Sequence, residues 1–198
     1  MPSVIGAHHN NLKATKRNDF DLKMTTELLT KKATICRIHV AGDYNSAEYA
    51  KKWIAIVKAN PTVKFFTYTR SWRIPEIRPR IEELASLPNM RMWWSLDCET
   101  GHPDDVPERV GLAYMAVAPH ELPEHPVDLF FRDYDIRNSV MKKFDGALVC
   151  PPENGVNKDM HCQQCGFCWR NELRVNPLRK LPRIERTRQR RIALQMVA

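Results

Sequence analysis

The sequence predicts an α/β protein: a parallel sheet of the barrel or doubly wound kind, with a Cys-rich loop near its C-terminal end and a basic C-terminal tail. Three observations carry this. Strand-like and helix-like segments alternate from Thr34 to Asp97, three cysteines recur at every third residue from Cys162 to Cys168, and most of the net charge lies beyond residue 169. At 198 residues the chain is long enough for one sizeable core. The expected division is an N-terminal arm at 1–25, an α/β domain at 26–169 and a tail at 170–198.

Residues 1–25 are polar and show no clear period, which predicts an irregular entry. The segment "TICRIHVAGD" that follows is rich in β-branched residues and stops at Gly42-Asp43, so a strand is expected, then a loop. Asn45 with Glu48 three residues later fits a capping box, and Ala50, Trp53, Ile54 and Val57 recur at helical spacing until Asn60-Pro61. A second strand is read at Val63 to Thr69. A helix is expected within "IPEIRPRIEELASLP", with Ile77, Ile81 and Leu84 on one face, and a third strand at Met90 to Asp97. This β-α-β-α-β order implies parallel pairing, of the barrel or doubly wound kind. Two more apolar runs, "VGLAYMAVA" and "VDLFFRD", flank a segment rich in Pro and His, and "GALVC" leads into Cys150.

In parallel α/β folds ligands collect at the carboxyl ends of the strands. His39, Asp43, Thr69, Arg70, Ser95 and Asp97 are therefore candidates to line a cleft, with His39 and Asp43 foremost as acid–base or substrate-orienting groups. Each has an architectural reading too, since a buried His or Asp bonded to nearby backbone, or a turn residue at a strand end, needs no ligand.

Six cysteines, four of them between 150 and 168, do not resemble the disulfide framework of a small secreted domain, so metal or redox chemistry is expected. The spacing C-x2-C-x2-C with a remote Cys150-Pro151 has the elements of ferredoxin-type ligation of a [4Fe–4S] cluster by Cys150, Cys162, Cys165 and Cys168. Zinc is the alternative, with Cys150 or His161 as fourth ligand. Gly166 would let backbone approach the sulfides, whereas Cys36 and Cys98 stand apart.

From Arg170 to Ala198 nine basic residues face two acidic ones, a net +7 out of a chain total of +8. A basic tail on a nearly neutral body points to an anionic partner, nucleic acid or an acidic protein, contacted through Arg179, Lys180, Arg183, Arg186, Arg188, Arg190 and Arg191. The apolar stretches are short and interrupted by charge, so a soluble, cytoplasmic protein with no membrane contact is expected.

The segments "RIHVAGDYNSAEYAKKWIAIVKANPTVKFFTYTRSW" and "CPPENGVNKDMHCQQCGFCW" resemble the gene product 88 domain family of phages and mobile elements, over roughly Thr34 to Trp169. The resemblance implies an iron–sulfur protein with a partial barrel similar to radical S-adenosylmethionine proteins, acting in the host cytoplasm if phage-encoded. The triplet departs from the C-x3-C-x2-C signature of the radical enzymes, and Cys150 would fill the iron position that their cosubstrate needs. The function expected is a non-enzymatic iron–sulfur protein, its cluster structural or redox-sensing, that binds nucleic acid or a host nucleic-acid-processing protein through its tail. The alternative is an iron–sulfur enzyme using the cleft around His39 and Asp43.

Overall fold

The computed structural model describes residues 2–133, 143–170 and 175–180. Helices α1 (Pro2–Thr15) and α2 (Phe20–Thr30) lead into β1 (Ile35–Arg37), α3 (Ala47–Ala59), β2 (Lys64–Thr69), α4 (Arg78–Ser86) and β3 (Met90–Leu96). Then come β4 (Val110–Ala116), β5 (Leu129–Arg132), β6 (Lys143–Phe144), β7 (Ala147–Val149) and a one-turn helix α5 (Cys162–Cys165). The seven strands form one sheet in the order β1-β2-β3-β4-β5-β7-β6. The β1–β2, β4–β5 and β5–β7 pairs are parallel, and the β6–β7 pair is antiparallel. The chain groups into two compact units, 1–92 and 93–198.

In the first unit the β-α-β-α-β reading holds. Helix α3 buries Trp53, Ile54 and Val57 as its period requires, and α4 buries Ile81 and Leu84. Its N-cap is Ser46 and not Asn45: the Ser46 hydroxyl accepts from Tyr49 N at 3.1 Å. Asn89, just before β3, donates through Nδ2 to the carbonyls of Val57, Asn60 and Val63, fastening the end of α3 and the start of β2.

Residues 1–25 are not irregular. They hold α1 and the first half of α2, and an arm boundary at residue 25 falls inside α2. The amphipathic signal is weak because α2 buries few side chains. One of these is Phe20, whose ring meets Tyr49 and Trp53 of α3 edge-on at 5.7 and 5.9 Å. β1 is also shorter than expected. The chain leaves the ladder after Ile38, and Gly42 turns it at φ +84°, so Val40 is 82% exposed.

The second unit departs from helix–strand alternation. No helix follows β3 or β4, because the connections 97–109 and 117–128 carry Pro103, Pro107, Pro119, Pro123 and Pro126. β6 and β7 are joined by Asp145-Gly146, both at positive φ (+46° and +78°), the two-residue hairpin turn that an Asp-Gly pair favours.

A buried carboxylate ties the second unit together. Asp128, 2% exposed, accepts from Leu112 N at 2.8 Å and Asn176 N at 2.7 Å and pairs with the guanidinium of Arg179. Burial pushes its carboxyl above the usual range, against the opposing pull of Arg179 and the two backbone N–H groups. Asn176 also donates through Nδ2 to Val127 O and Asp145 O. The segment 175–180 is thus held in the second unit.

Removing one partner of a buried ion pair leaves the other desolvated and uncompensated. Asp128→Ala and Arg179→Ala should each lower stability by about 3–5 kcal/mol in urea unfolding. The double variant should lose much less than the sum. Additive losses would mean that the two groups do not stabilise each other.

Candidate functional site

Cys150 follows β7, where its N–H still donates to Phe130 O of β5 at 2.9 Å. The turn after it, Pro151 to Glu153, is held by Arg132 at the end of β5. Arg132 N donates to Glu153 Oε2 at 2.6 Å and Arg132 Nε to Glu153 O at 2.9 Å. The chain then loops outward and returns through α5, whose first N–H region is closed by Gln164 Oε1 accepting from His161 N at 2.9 Å. Gly166, at φ +64°, ends that turn, and the reversal brings Cys168 round beside Cys162 and Cys165. Gly166 therefore serves to redirect the chain.

The result is a cavity lined by Cys150, Cys162, Cys165 and Cys168 together, with apolar walls that include Leu129, Leu148, Met160 and Phe167. Leu129 and Leu148 are register partners on β5 and β7, so the loop covers one face of the sheet there. Burial raises the Cys150 thiol well above its ordinary range, and the negative charge of Glu153 and the other three cysteines adds to the rise. Cys162 is exposed and the other three are half-buried. The enclosed space is about 20 Å³, room for little more than one water, so a larger occupant needs the lining to open. Among the described residues, no three His, Cys, Asp or Glu side chains are grouped to hold a single metal ion. Cys36 lies in the first unit, and the exposed Cys98 points its thiol at Glu121 Oε1, 3.6 Å away.

The strand-end candidates separate. His39 sits in an aromatic nest, its ring 4.7 Å from Tyr44 and 5.8 Å from Tyr49, with Nε2 3.2 Å from the Tyr49 hydroxyl. Burial there lowers its pKa, so it stays neutral further into the acid range. Asp43 accepts from Tyr44 N and Thr69 Oγ1 through Oδ1, at 2.8 and 2.6 Å, and from Arg70 N through Oδ2 at 2.6 Å. It clamps the loop after β1 to the end of β2, and Thr69 and Arg70 are its partners. Ser95 is half-buried in β3. Asp97 receives Glu99 N and Thr100 N on Oδ1, the turn that follows the strand.

Asp97 does line a cleft. A cavity of about 380 Å³ opens at the carboxyl ends of β3 and β4, lined by Leu96, Asp97, Cys98, Gly101, His102, Tyr114, His120, Glu121, Leu122, Pro123, Glu124 and His125. His102 and His125 have ring centroids 4.6 Å apart, and His102 Nδ1 donates to Pro103 O at 2.8 Å. Glu121 accepts Val117 N at 2.7 Å. Sequence reasoning missed these residues because they lie in two proline-broken loops. The available signal was the density of His and carboxylate residues between 97 and 125.

Of the basic residues assigned to a partner, Arg179 is committed elsewhere: its guanidinium closes the buried pair with Asp128, which removes it from the cations open to a polyanion. Lys180 ends the last described turn, and Arg183, Arg186, Arg188, Arg190 and Arg191 lie outside the described residues. Among the described residues no helix is long and apolar enough to cross a membrane.

The sequence profile of the gene product 88 family matches residues 1–171, from α1 through the whole cysteine loop. The gene 88 protein of Mycobacterium phage L5 is 25% identical over 139 residues, covering 67% of this chain and 49% of that relative. The chain thus spans about half the length of the curated relative it matches. No solved structure matches. A match that takes in both units and all four clustered cysteines is more than a shared motif, and the chain belongs to the gene product 88 family.

Proposed function

We propose that this is an iron–sulfur protein of phage origin in which Cys150, Cys162, Cys165 and Cys168 hold one [4Fe–4S] cluster with a structural or redox-sensing role. Cations beyond residue 180 would contact nucleic acid or an acidic host protein. The observation that carries the reading is that these four thiols, and neither of the other two, line one cavity. A tetrahedral zinc site sets its sulfurs about 3.8 Å apart, from a Zn–S bond of about 2.3 Å. In a cubane each thiolate binds its own iron and the sulfurs stand further apart, so a cluster calls for four thiols spread round one cavity. Apolar walls would shield the cluster from solvent, and backbone N–H groups of the turns would be its hydrogen-bond donors. When bound, the cluster supplies one-electron redox capacity and a fastening between Cys150 and the loop. The partial-barrel form of the sheet, similar to that of radical S-adenosylmethionine proteins, belongs to the same proposal.

A second reading has support from the cleft at the ends of β3 and β4. Its three carboxylates and three imidazoles suit general acid–base work, with Asp97 the one member foreseen from sequence. This enzymatic reading moves the reactive groups away from His39 and Asp43.

Anaerobically purified protein should contain about four iron and four acid-labile sulfide per chain. Replacing any of Cys150, Cys162, Cys165 or Cys168 with Ser should reduce both, while Cys36→Ser and Cys98→Ser leave them unchanged. Stoichiometric zinc without sulfide would overturn the assignment. Adding S-adenosylmethionine should leave the visible spectrum as it was, since four thiolates leave no open iron; a change would put the enzymatic reading ahead.

Deleting residues 181–198 keeps Arg179 and all four cysteines. The truncated chain should hold its cluster but lose affinity for DNA, RNA or an acidic protein. If Arg183, Arg186, Arg188, Arg190 and Arg191 neutralise phosphates, each should add roughly 0.7–0.9 to the slope of log affinity against log salt. Equal binding by both forms would remove the tail from the function.

A further inference from the structure

The returning arm of the cysteine loop rests on Trp93 of β3. This side chain is fully buried (0% exposed), its Nε1 donates to Cys168 O at 2.9 Å, and its ring lies 5.6 Å from that of Phe167, tilted by 32°. The indole reaches Cys168 by crossing Gly111 of β4. A Cβ at position 111 would stand 2.4 Å from Trp93 Cε3 and 2.5 Å from Cζ3, closer than real Cβ contacts come. The backbone at Gly111 is not left-handed, so what requires glycine there is the room the indole occupies. The edge of a rigid ring cannot yield as a flexible chain end would.

We infer that Trp93, admitted by Gly111, is a positioning residue for the thiol set: it fixes Cys168 through its carbonyl oxygen, two bonds from the Cα whose Cβ carries the thiol. Its consequence for a bound cluster rests on the reading proposed above, but the geometry does not. The four thiols are held unequally. Cys150 is fixed by the sheet and by Arg132 on Glu153, Cys165 by Arg170 Nη2 donating to its carbonyl at 2.8 Å, and Cys168 by Trp93. Cys162 is the exposed corner. The Cys168 anchor comes from β3, outside the loop, whereas the Cys162 carbonyl accepts Gly166 N at 2.8 Å within it.

The test uses Trp93→Phe, which keeps an aromatic ring but deletes the donor, and Gly111→Ala, which pushes the ring aside. In metal-free, reduced protein, iodoacetamide alkylation is read cysteine by cysteine by peptide mass spectrometry. Cys168 should react about fivefold faster in Trp93→Phe, the effect of one lost hydrogen bond, while Cys162 and Cys98 keep their wild-type rates. Gly111→Ala should show the same selective change. In cluster-loaded protein, Trp93→Phe should also release iron to a chelator faster and shift the reduction potential. Unchanged Cys168 reactivity in Trp93→Phe, or a uniform rise at all cysteines, overturns the inference. A selective rise at Cys168 in a protein whose wild type holds no iron and sulfide would uphold the positioning role and refute the cluster reading.

Discussion

The second unit depends on a charge that water cannot reach. Asp128 sits at the start of β5, and its carboxylate is satisfied only by groups from elsewhere in the chain: Leu112 N from β4, then Asn176 N and the Arg179 guanidinium from the segment after the cysteine loop. A buried carboxylate without such donors would be strongly unfavourable. Asp128 therefore links β4 and the start of β5 to the return of residues 176–179. Asn176 extends the link to the β6–β7 hairpin by donating to Asp145 O, and it packs so near Gly146 that a Cβ there would lie 2.5 Å from Asn176 Oδ1. Strand end, hairpin and returning segment meet at one polar node.

That node changes the meaning of the cysteine loop. The excursion from Cys150 to Arg170 leaves from a strand and is followed by a segment anchored at Asp128, so it is a closed loop fastened on both sides. Closing it costs entropy whether or not a metal group is bound, and the sheet and the Asp128 node meet that cost. Loop thiols brought together this way are partly pre-organised, which lowers the ordering cost of binding a cluster. Arg132 on Glu153 and Trp93 on Cys168 refine the placement within the loop.

The first unit was largely legible in the sequence because α3 and α4 bury one face each and β2 is nearly continuous in its burial, so period and burial coincide. The N-terminal helices were not legible, since α2 contributes mainly Phe20 and Leu28 to the core while Leu22 and Leu29 stay exposed, which blurs its apolar face. The cysteine set was visible because its spacing is local. Arg179 looked like its neighbours in a basic run, and only the three-dimensional return of the chain gives it a buried partner 51 positions away. The Asp145-Gly146 hairpin left a readable signal that was passed over, whereas the His and Glu residues of the cleft come from two loops whose proximity no local pattern encodes.

With 175–180 anchored in the second unit, the charge that lies beyond it is smaller. Residues 181–198 carry five arginines against Glu185, a net +4, which is half of the chain's +8. The cleft at the ends of β3 and β4 has the opposite character: Asp97, Glu121 and Glu124 line it, and no Lys or Arg does. Three carboxylates and no lining cation disfavour phosphate in such a cavity. A polyanion drawn to the arginines is thus disfavoured in the cleft, and a ligand suited to the cleft gains nothing from the arginines. The partner-binding and enzymatic readings consequently concern different surfaces and different ligands, so evidence for one does not count against the other, and each must be tried with molecules of its own charge.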